Sequence, residues 1–301
     1  MTGDRLAIEA SGLTKRYGDV TAVRDLTFTV RPGAVTGFLG PNGAGKTTTM
    51  RMLTGLVTPT SGTATIGGQP YGRLAQPSRT VGAVFDGNAF HPGHTARDHL
   101  GVYAAMAGCP DRRVAELLDL LGLAQAADRR TREFSTGMRQ RLSLATALLG
   151  DPRVLLLDEP SNGLDPEGMS WLRGLLRRLA DEGRTLLVSS HVLHEVQQVV
   201  DDVVVLRRGE LVAAGPWSAL TGSPTVLVTS PDATDLAAAL TAGAGSVEPA
   251  GPGRLRVRGL DAPRVADLAA DHRLRIHELV TETTSLEQLF LDLTTDPAEA
   301  R

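Results

Sequence analysis

Gly40-Pro41-Asn42-Gly43-Ala44-Gly45-Lys46-Thr47 is the stretch on which the reading of this 301-residue chain turns. It fits Gly-x-x-x-x-Gly-Lys-[Ser/Thr], a glycine-rich loop whose backbone N–H groups turn toward phosphate oxygens. The flanks supply the context that the pattern needs. Ala34-Val35-Thr36-Gly37-Phe38-Leu39 reads as a buried strand, and Thr47 to Leu53 as a helix whose N-terminus favours anions. Gly40, Pro41, Asn42, Gly43, Ala44, Gly45, Lys46, Thr47 and Thr48 are therefore the candidate nucleotide-binding residues. Lysine usage points the same way. Of 31 basic residues only Lys15 and Lys46 are lysines, the rest being arginine. Position 46 thus retains a compact ammonium on a flexible stem, where a planar guanidinium would not substitute.

Composition sets the outer limits. The length allows one large or two modest domains. A formal charge of -3 gives no global positive field to attract nucleic acid or anionic lipid. A single cysteine, Cys109, rules out an internal disulfide and fits a reducing compartment. Met1-Thr2-Gly3-Asp4-Arg5-Leu6 lacks the apolar core of a secretory signal, and no apolar run is long enough to span a membrane.

Strand-like runs alternate with helical periodicity to about residue 215, the pattern of a parallel α/β sheet. From about 95 to 150 only helical spacing appears, predicting a helical subdomain inserted into the sheet domain. Thr95-x-x-Asp98 resembles a capping box, and Val114, Leu117, Leu118 and Leu121 form an i, i+3, i+4, i+7 stripe. The texture changes after Gly215-Pro216 and Thr221-Gly222-Ser223-Pro224. The boundaries drawn are residues 1–220 for the first domain and 221–301 for an accessory or regulatory one. The second reads as strand Thr225–Thr229, helix Ala233–Leu240, a strand near Val247, strand Leu255–Val257, helix Ala262–Ala269, strand Leu274–Val280 and helix Ser285–Leu293. That βαββαβ order suggests a small α+β, ferredoxin-like module.

Val154-Leu155-Leu156-Leu157-Asp158-Glu159 is an apolar run, buried on both faces as a strand, that ends in two carboxylates. Asp158 can hold a magnesium ion together with the Thr47 hydroxyl, and Glu159 can accept a proton from an attacking water. Three further segments fall in order behind the loop. Phe134-Ser135-Thr136-Gly137-Met138 is a Ser-x-Gly turn entering a helix, able to present N–H groups and a hydroxyl to a γ-phosphate. Ser161-Asn162-Gly163-Leu164-Asp165-Pro166 is a turn directly after the carboxylates. Thr185-Leu186-Leu187-Val188-Ser189-Ser190-His191 is a buried strand that delivers a histidine at its end.

In this order the segments resemble the nucleotide-binding subunit of an ATP-binding-cassette (ABC) transporter, over about residues 5 to 220. The fold implied is a P-loop NTPase of the ABC ATPase kind. The glycine loop stands as Walker A, Val154–Asp158 as Walker B, and Glu159 in the place of the catalytic base. Phe134–Met138 stands where the family usually has Leu-Ser-Gly-Gly-Gln; Ser135 and Gly137 match, whereas Thr136 and Met138 depart. Asp165 lies in the D-loop equivalent, His191 is similar to the switch histidine, and Tyr17 falls where the family stacks an aromatic ring on adenine. The resemblance implies ATP and Mg2+ as ligands and a head-to-tail dimer, homo- or heteromeric, in which Ser135, Thr136, Gly137 and Met138 serve the partner's ATP. It also implies docking on a separate membrane permease, hence a cytoplasmic protein peripheral to the membrane.

One position departs from the family. Where it places a glutamine after the strand near residue 85, this chain has Asp86. A carboxylate can still take a hard cation, so Asp86 is the candidate equivalent and a third candidate magnesium ligand. Its added negative charge opposes the γ-phosphate unless a metal offsets it. His91, His94 and His99 cluster, but no cysteine or paired carboxylate completes a metal-ligand set. His191-Val192-Leu193-His194-Glu195 is not the zinc-protease pattern, because its acid follows both histidines.

The signature form and the segment Thr283–Thr294 resemble exporter ATPases of the daunorubicin- and bacitracin-resistance type. Export of a drug- or antibiotic-like substrate is accordingly the expectation. An importer subunit is the alternative. A soluble ABC ATPase acting on DNA or ribosomes is disfavoured, since the chain shows neither a second cassette nor a basic footprint.

Overall fold

The computed structural model describes residues 6–85, 90–190, 197–220, 225–243 and 245–282. Its contacts divide the chain into two units, Met1–Pro216 and Trp217–Arg301. The first begins with a hairpin, β1 (Ile8–Tyr17) and β2 (Val20–Val30), and passes through β3 (Val35–Leu39) into helix α1 (Lys46–Leu53). It continues through β4 (Ser61–Ile66), the single turn α2 (Pro77–Thr80) and β5 (Val81–Val84). Helices α3 (Ala96–Ala107), α4 (Arg112–Leu120) and α5 (Thr136–Leu148) follow without an intervening strand. Then come β6 (Val154–Leu157), α6 (Pro166–Asp181), β7 (Thr185–Ser190), β8 (Asp202–Arg207) and β9 (Glu210–Pro216).

These strands form two sheets where the alternating pattern suggests one. A six-stranded sheet runs β5-β6-β7-β3-β8-β9, with all neighbours parallel except β8 and β9. A separate three-stranded sheet, β2-β1-β4, is antiparallel throughout. The cause is local. Only Gly18 and Asp19 join β1 to β2, far too few residues for a parallel crossover, and Gly18 takes φ 57 to close the turn.

Successive residues of the central strands feed opposite cores. Leu155 and Leu157 of β6, with Leu186 and Val188 of β7, pack against the helical segment. Val154, Leu156 and Leu187 face the antiparallel sheet and α1, together with Phe38, Met50 and Leu26. Burial on both faces accounts for the near-continuous apolar runs. Truncating a wholly buried leucine such as Leu156 to alanine costs about 2–5 kcal/mol by cavity formation.

The capping box at Thr95 forms in both directions: Asp98 N donates to Thr95 Oγ1, and Thr95 N donates to Asp98 Oδ2. Those two bonds hold the exposed Asp98 carboxyl below its ordinary pKa.

The second unit opens with a short helix α7 (Trp217–Leu220) and then runs β10 (Thr225–Thr229), α8 (Ala233–Ala242), β11 (Ser246–Gly251), β12 (Arg254–Arg258), α9 (Ala262–Asp271) and β13 (Glu278–Glu282). Its sheet order is β11-β12-β10-β13 with every neighbour antiparallel, the split βαβ arrangement of a ferredoxin-like module. The last strand begins four residues later than the apolar run Leu274–Val280 suggests, because the preceding backbone is already engaged. Arg275 N bonds Asp232, Arg275 O accepts from Ser230 Oγ, and His277 N donates to Thr229 O. Ser285–Leu293 lies outside the described residues.

Candidate active site

The carboxyl ends of β3, β7 and β6 lie side by side in the six-stranded sheet, so their parallel register converges Gly40, Ser190 and Asp158 at one edge. The glycine loop leaves β3 there. Gly40 is pinned by its neighbours: a Cβ on it would fall 2.6 Å from Leu206 O and 2.8 Å from Ala44 Cβ. Gly45 adopts φ 98 and packs on the first hairpin, where a Cβ would lie 2.6 Å from Ala22 O. No side chain caps α1, so the N–H groups of its first turn remain for an external acceptor.

Lys46 is only 6% exposed. Its ammonium donates to Gly40 O at 2.6 Å and Pro41 O at 3.3 Å and stands 3.7 Å from Glu159 Oε1. The loop's own carbonyls thus hold the cation in place. Thr47 Oγ1 donates to Asp158 Oδ2 at 2.7 Å, and Asp158 N is fixed by Val84 O of the neighbouring strand. Glu159 takes φ 49, a left-handed conformation that costs a non-glycine residue ~1–3 kcal/mol and persists only where surroundings impose it.

Ser189 supplies that constraint, and the sequence reading did not single it out. It is fully buried on β7; its hydroxyl donates to Asp158 Oδ1 at 2.6 Å and accepts from Glu159 N at 2.8 Å. One side chain therefore orients both carboxylate residues. A serine two places before His191 was the available signal, but nothing local tells which strand it faces.

The remaining predicted residues are placed as follows. Ser135 caps α5 by accepting from Met138 N at 3.2 Å, which leaves its O–H to donate elsewhere. Ser135 and Thr136 are exposed, whereas the Met138 side chain packs on the helical core and its N–H serves the cap. Asp165 caps α6, accepting from Gly168 N at 2.8 Å. The Ser161–Asp165 turn lies against the Phe134–Met138 segment: a Cβ on Gly163, at φ 74, would fall on the Thr136 methyl, and one on Gly137 would meet Leu164. Tyr17 closes β1 with 51% of its surface exposed, paired across the hairpin with Val20, itself 66% exposed. Asp86 and His191 lie outside the described residues. His99 belongs to another environment, against Phe90 and Tyr103, with Nε2 3.0 Å from Thr146 Oγ1.

A cleft of about 600 Å3 lies away from this site. It runs along β5 and α5, lined by Leu56, Tyr71, Phe85, Phe90, His99 and Tyr103 among others. The carboxylates, the lysine and the uncapped helix mark the chemistry, while the cleft is apolar surface beside the strand that leads to Asp86. Among the described residues no helix is long and apolar enough to cross a membrane.

A family model described as "ABC transporter" matches residues 23–162, and one described as a domain of unknown function matches 224–287. The bacitracin transport ATP-binding protein BcrA of Bacillus licheniformis is 41% identical over 216 residues, 71% of either chain. The Nod factor export ATP-binding protein I of Ralstonia nicotianae is 35% identical over 304 residues, covering 97% of this chain and 95% of its own. A solved ATP binding subunit of an ABC transporter has TM-score 0.65 at 27% identity, covering 71% of this chain and 91% of that one. The chain belongs to the ABC transporter family, among its ATP-binding subunits.

Proposed function

We propose that this subunit hydrolyses ATP within a head-to-tail pair of cassettes and thereby drives export of a substrate through a separate membrane permease. The observation that carries the chemistry is the Lys46–Glu159 and Thr47–Asp158–Ser189 cluster at the end of a phosphate-cradling loop. The loop amides and Lys46 bind the β- and γ-phosphates, and Tyr17 with Val20 receives the adenine. Thr47 and Asp158 present two hard oxygens 2.7 Å apart, a donor set that fits Mg2+ and would hold it. When bound, that ion neutralises charge on the transferring phosphoryl group. Glu159 accepts the proton of the attacking water, held at its post by the Ser189 bond to its N–H. Lys46, 3.7 Å from Oε1, keeps Glu159 aimed inward until phosphate takes over the ammonium.

The second half of each composite site comes from another cassette. The exposed Ser135 hydroxyl and the N-terminus of α5 offer donors at the surface, which supports the pairing. His191 would contact the γ-phosphate and Asp86 the metal side of the site. The apolar cleft next to Phe85 is the surface we assign to the permease, with Leu56, 67% exposed, and Tyr103 on its rim. Export is favoured by the similarity to a bacitracin transport and a Nod factor export ATP-binding protein.

Glu159→Gln tests the reading. It should retain ATP binding, lose turnover by about a hundredfold or more, and accumulate an ATP-dependent dimer on a sizing column. Turnover at the parent rate would remove Glu159 from the mechanism.

A further inference from the structure

We infer that Lys15 is a positioning residue for nucleotide: it holds the Tyr17 ring by one face and fastens it to the segment that follows the phosphate helix. This rests on the reading of Tyr17 as the adenine platform. Tyr17 ends β1 with half its surface in solvent, so the core does little to fix its ring. A ring that must be ordered on binding weakens affinity. Lys15 stands two residues earlier, on the same side of the strand. Its ammonium lies 4.9 Å from the Tyr17 ring centroid and donates to Thr58 O at 2.7 Å. Among the described residues this cation is thus held by an aromatic face and a carbonyl, not by a carboxylate.

The carbonyl it grips is not an arbitrary one. Thr58 follows Val57, whose N–H donates to Arg51 O in the last turn of α1. Two further bonds seam the same segments together, Thr60 N to Thr14 O at 2.8 Å and Arg16 N to Thr60 Oγ1 at 3.0 Å. A continuous path therefore runs from the phosphate helix through Thr58 and Lys15 to the Tyr17 ring. The ammonium covers one face of the ring and leaves the opposite face for a base. It also draws π density away from that face, which favours stacking of an electron-rich purine. The chain's only two lysines would then serve the two ends of one nucleotide, Lys46 the phosphates and Lys15 the base.

The test is a double-variant cycle on the full chain, with ATP and tripolyphosphate titrated calorimetrically in EDTA and turnover measured separately. Lys15→Met should weaken ATP about two- to fivefold, the range of an exposed cation–π contact, with kcat unchanged. Tripolyphosphate, which has no base, should bind as to the parent. Tyr17→Leu should weaken ATP similarly, and adding Lys15→Met to it should change nothing more. If Lys15→Met leaves ATP affinity intact while Tyr17→Leu lowers it, the inference falls and the adenine platform stands. Unaltered affinity in Tyr17→Leu removes the platform itself and the inference with it. Equal losses for ATP and tripolyphosphate, or full additivity of the two substitutions, would also overturn it.

Discussion

Ser189 shows how much of this site hangs on a single hydroxyl. It serves Asp158 and Glu159 together, and removing it takes the donor from Oδ1 of the half-buried Asp158, leaving only Thr47 on Oδ2, and takes the anchor from a strained glutamate. Ser189→Ala should therefore lower kcat about tenfold or more while leaving KM for ATP near the parent value, since the phosphate cradle is untouched. Steady-state kinetics of the full chain checks this, and an equal change in both constants would count against it. Lys46, Thr47, Asp158 and Glu159 were legible in the sequence because loop and run carry their own signatures over a few residues. Ser189 was not, because its meaning depends on the register that sets β7 beside β6, and it meets partners some thirty positions away in the chain.

The Thr95 cap has a local cause legible in the sequence, whereas the start of β13 is set by tertiary partners. The Thr95–Asp98 box needs only its own four residues, and it opens α3 as expected. The start of β13 was misplaced because Asp232 and Ser230, far upstream, claim the backbone around Arg275. Helix α3 also carries a titratable core residue. His99 is buried against Phe90, Tyr103 and Thr146, and desolvation, assisted by the nearby His94 charge, lowers its pKa from 6.5 to about 4. The folded state then holds a neutral ring where the unfolded chain takes up a proton. Stability is unaffected well above pH 6.5, falls as pH drops from about 6.5 to 4, and levels off below. Between pH 7 and 5 this group should account for about 2 kcal/mol of lost stability. Denaturant unfolding of parent and His99→Gln at both pH values tests it; the same pH dependence in both proteins would exclude His99 as the source.

At the scale of the whole chain, two units with separate cores predict separable unfolding. The second unit is tied internally by Arg275, which grips Asp232 through its N–H, Nε and Nη2. Those hydrogen bonds, first from the Arg275 side chain and then from its backbone, lower the Asp232 pKa to about 2. The sign is opposite to that of His99. The contribution is complete above the ordinary carboxylate value of 3.8 and is lost as pH falls toward 2. Asp232→Asn should lower the transition of the second unit at pH 7, and the gap between parent and variant should close by about pH 2 in a thermal scan. A gap that persists at low pH would show that the ion pair is not its origin. The module's architecture was legible from its strand and helix order; its role in the transporter was not, because a ferredoxin-like module serves many functions.

Gly163, in a turn, and Thr136, at the start of α5, are separated in the sequence and pressed together by the fold. Their contact has a consequence for how this chain can change over time. A Cβ at position 163 would fall on the Thr136 methyl, so a larger residue there requires Thr136 to turn away or shrink, and φ 74 adds a second objection. Rotation or replacement of Thr136 would have to accompany it. The two positions therefore form a coupled evolutionary pair, in which the route to a bulkier residue 163 passes through residue 136.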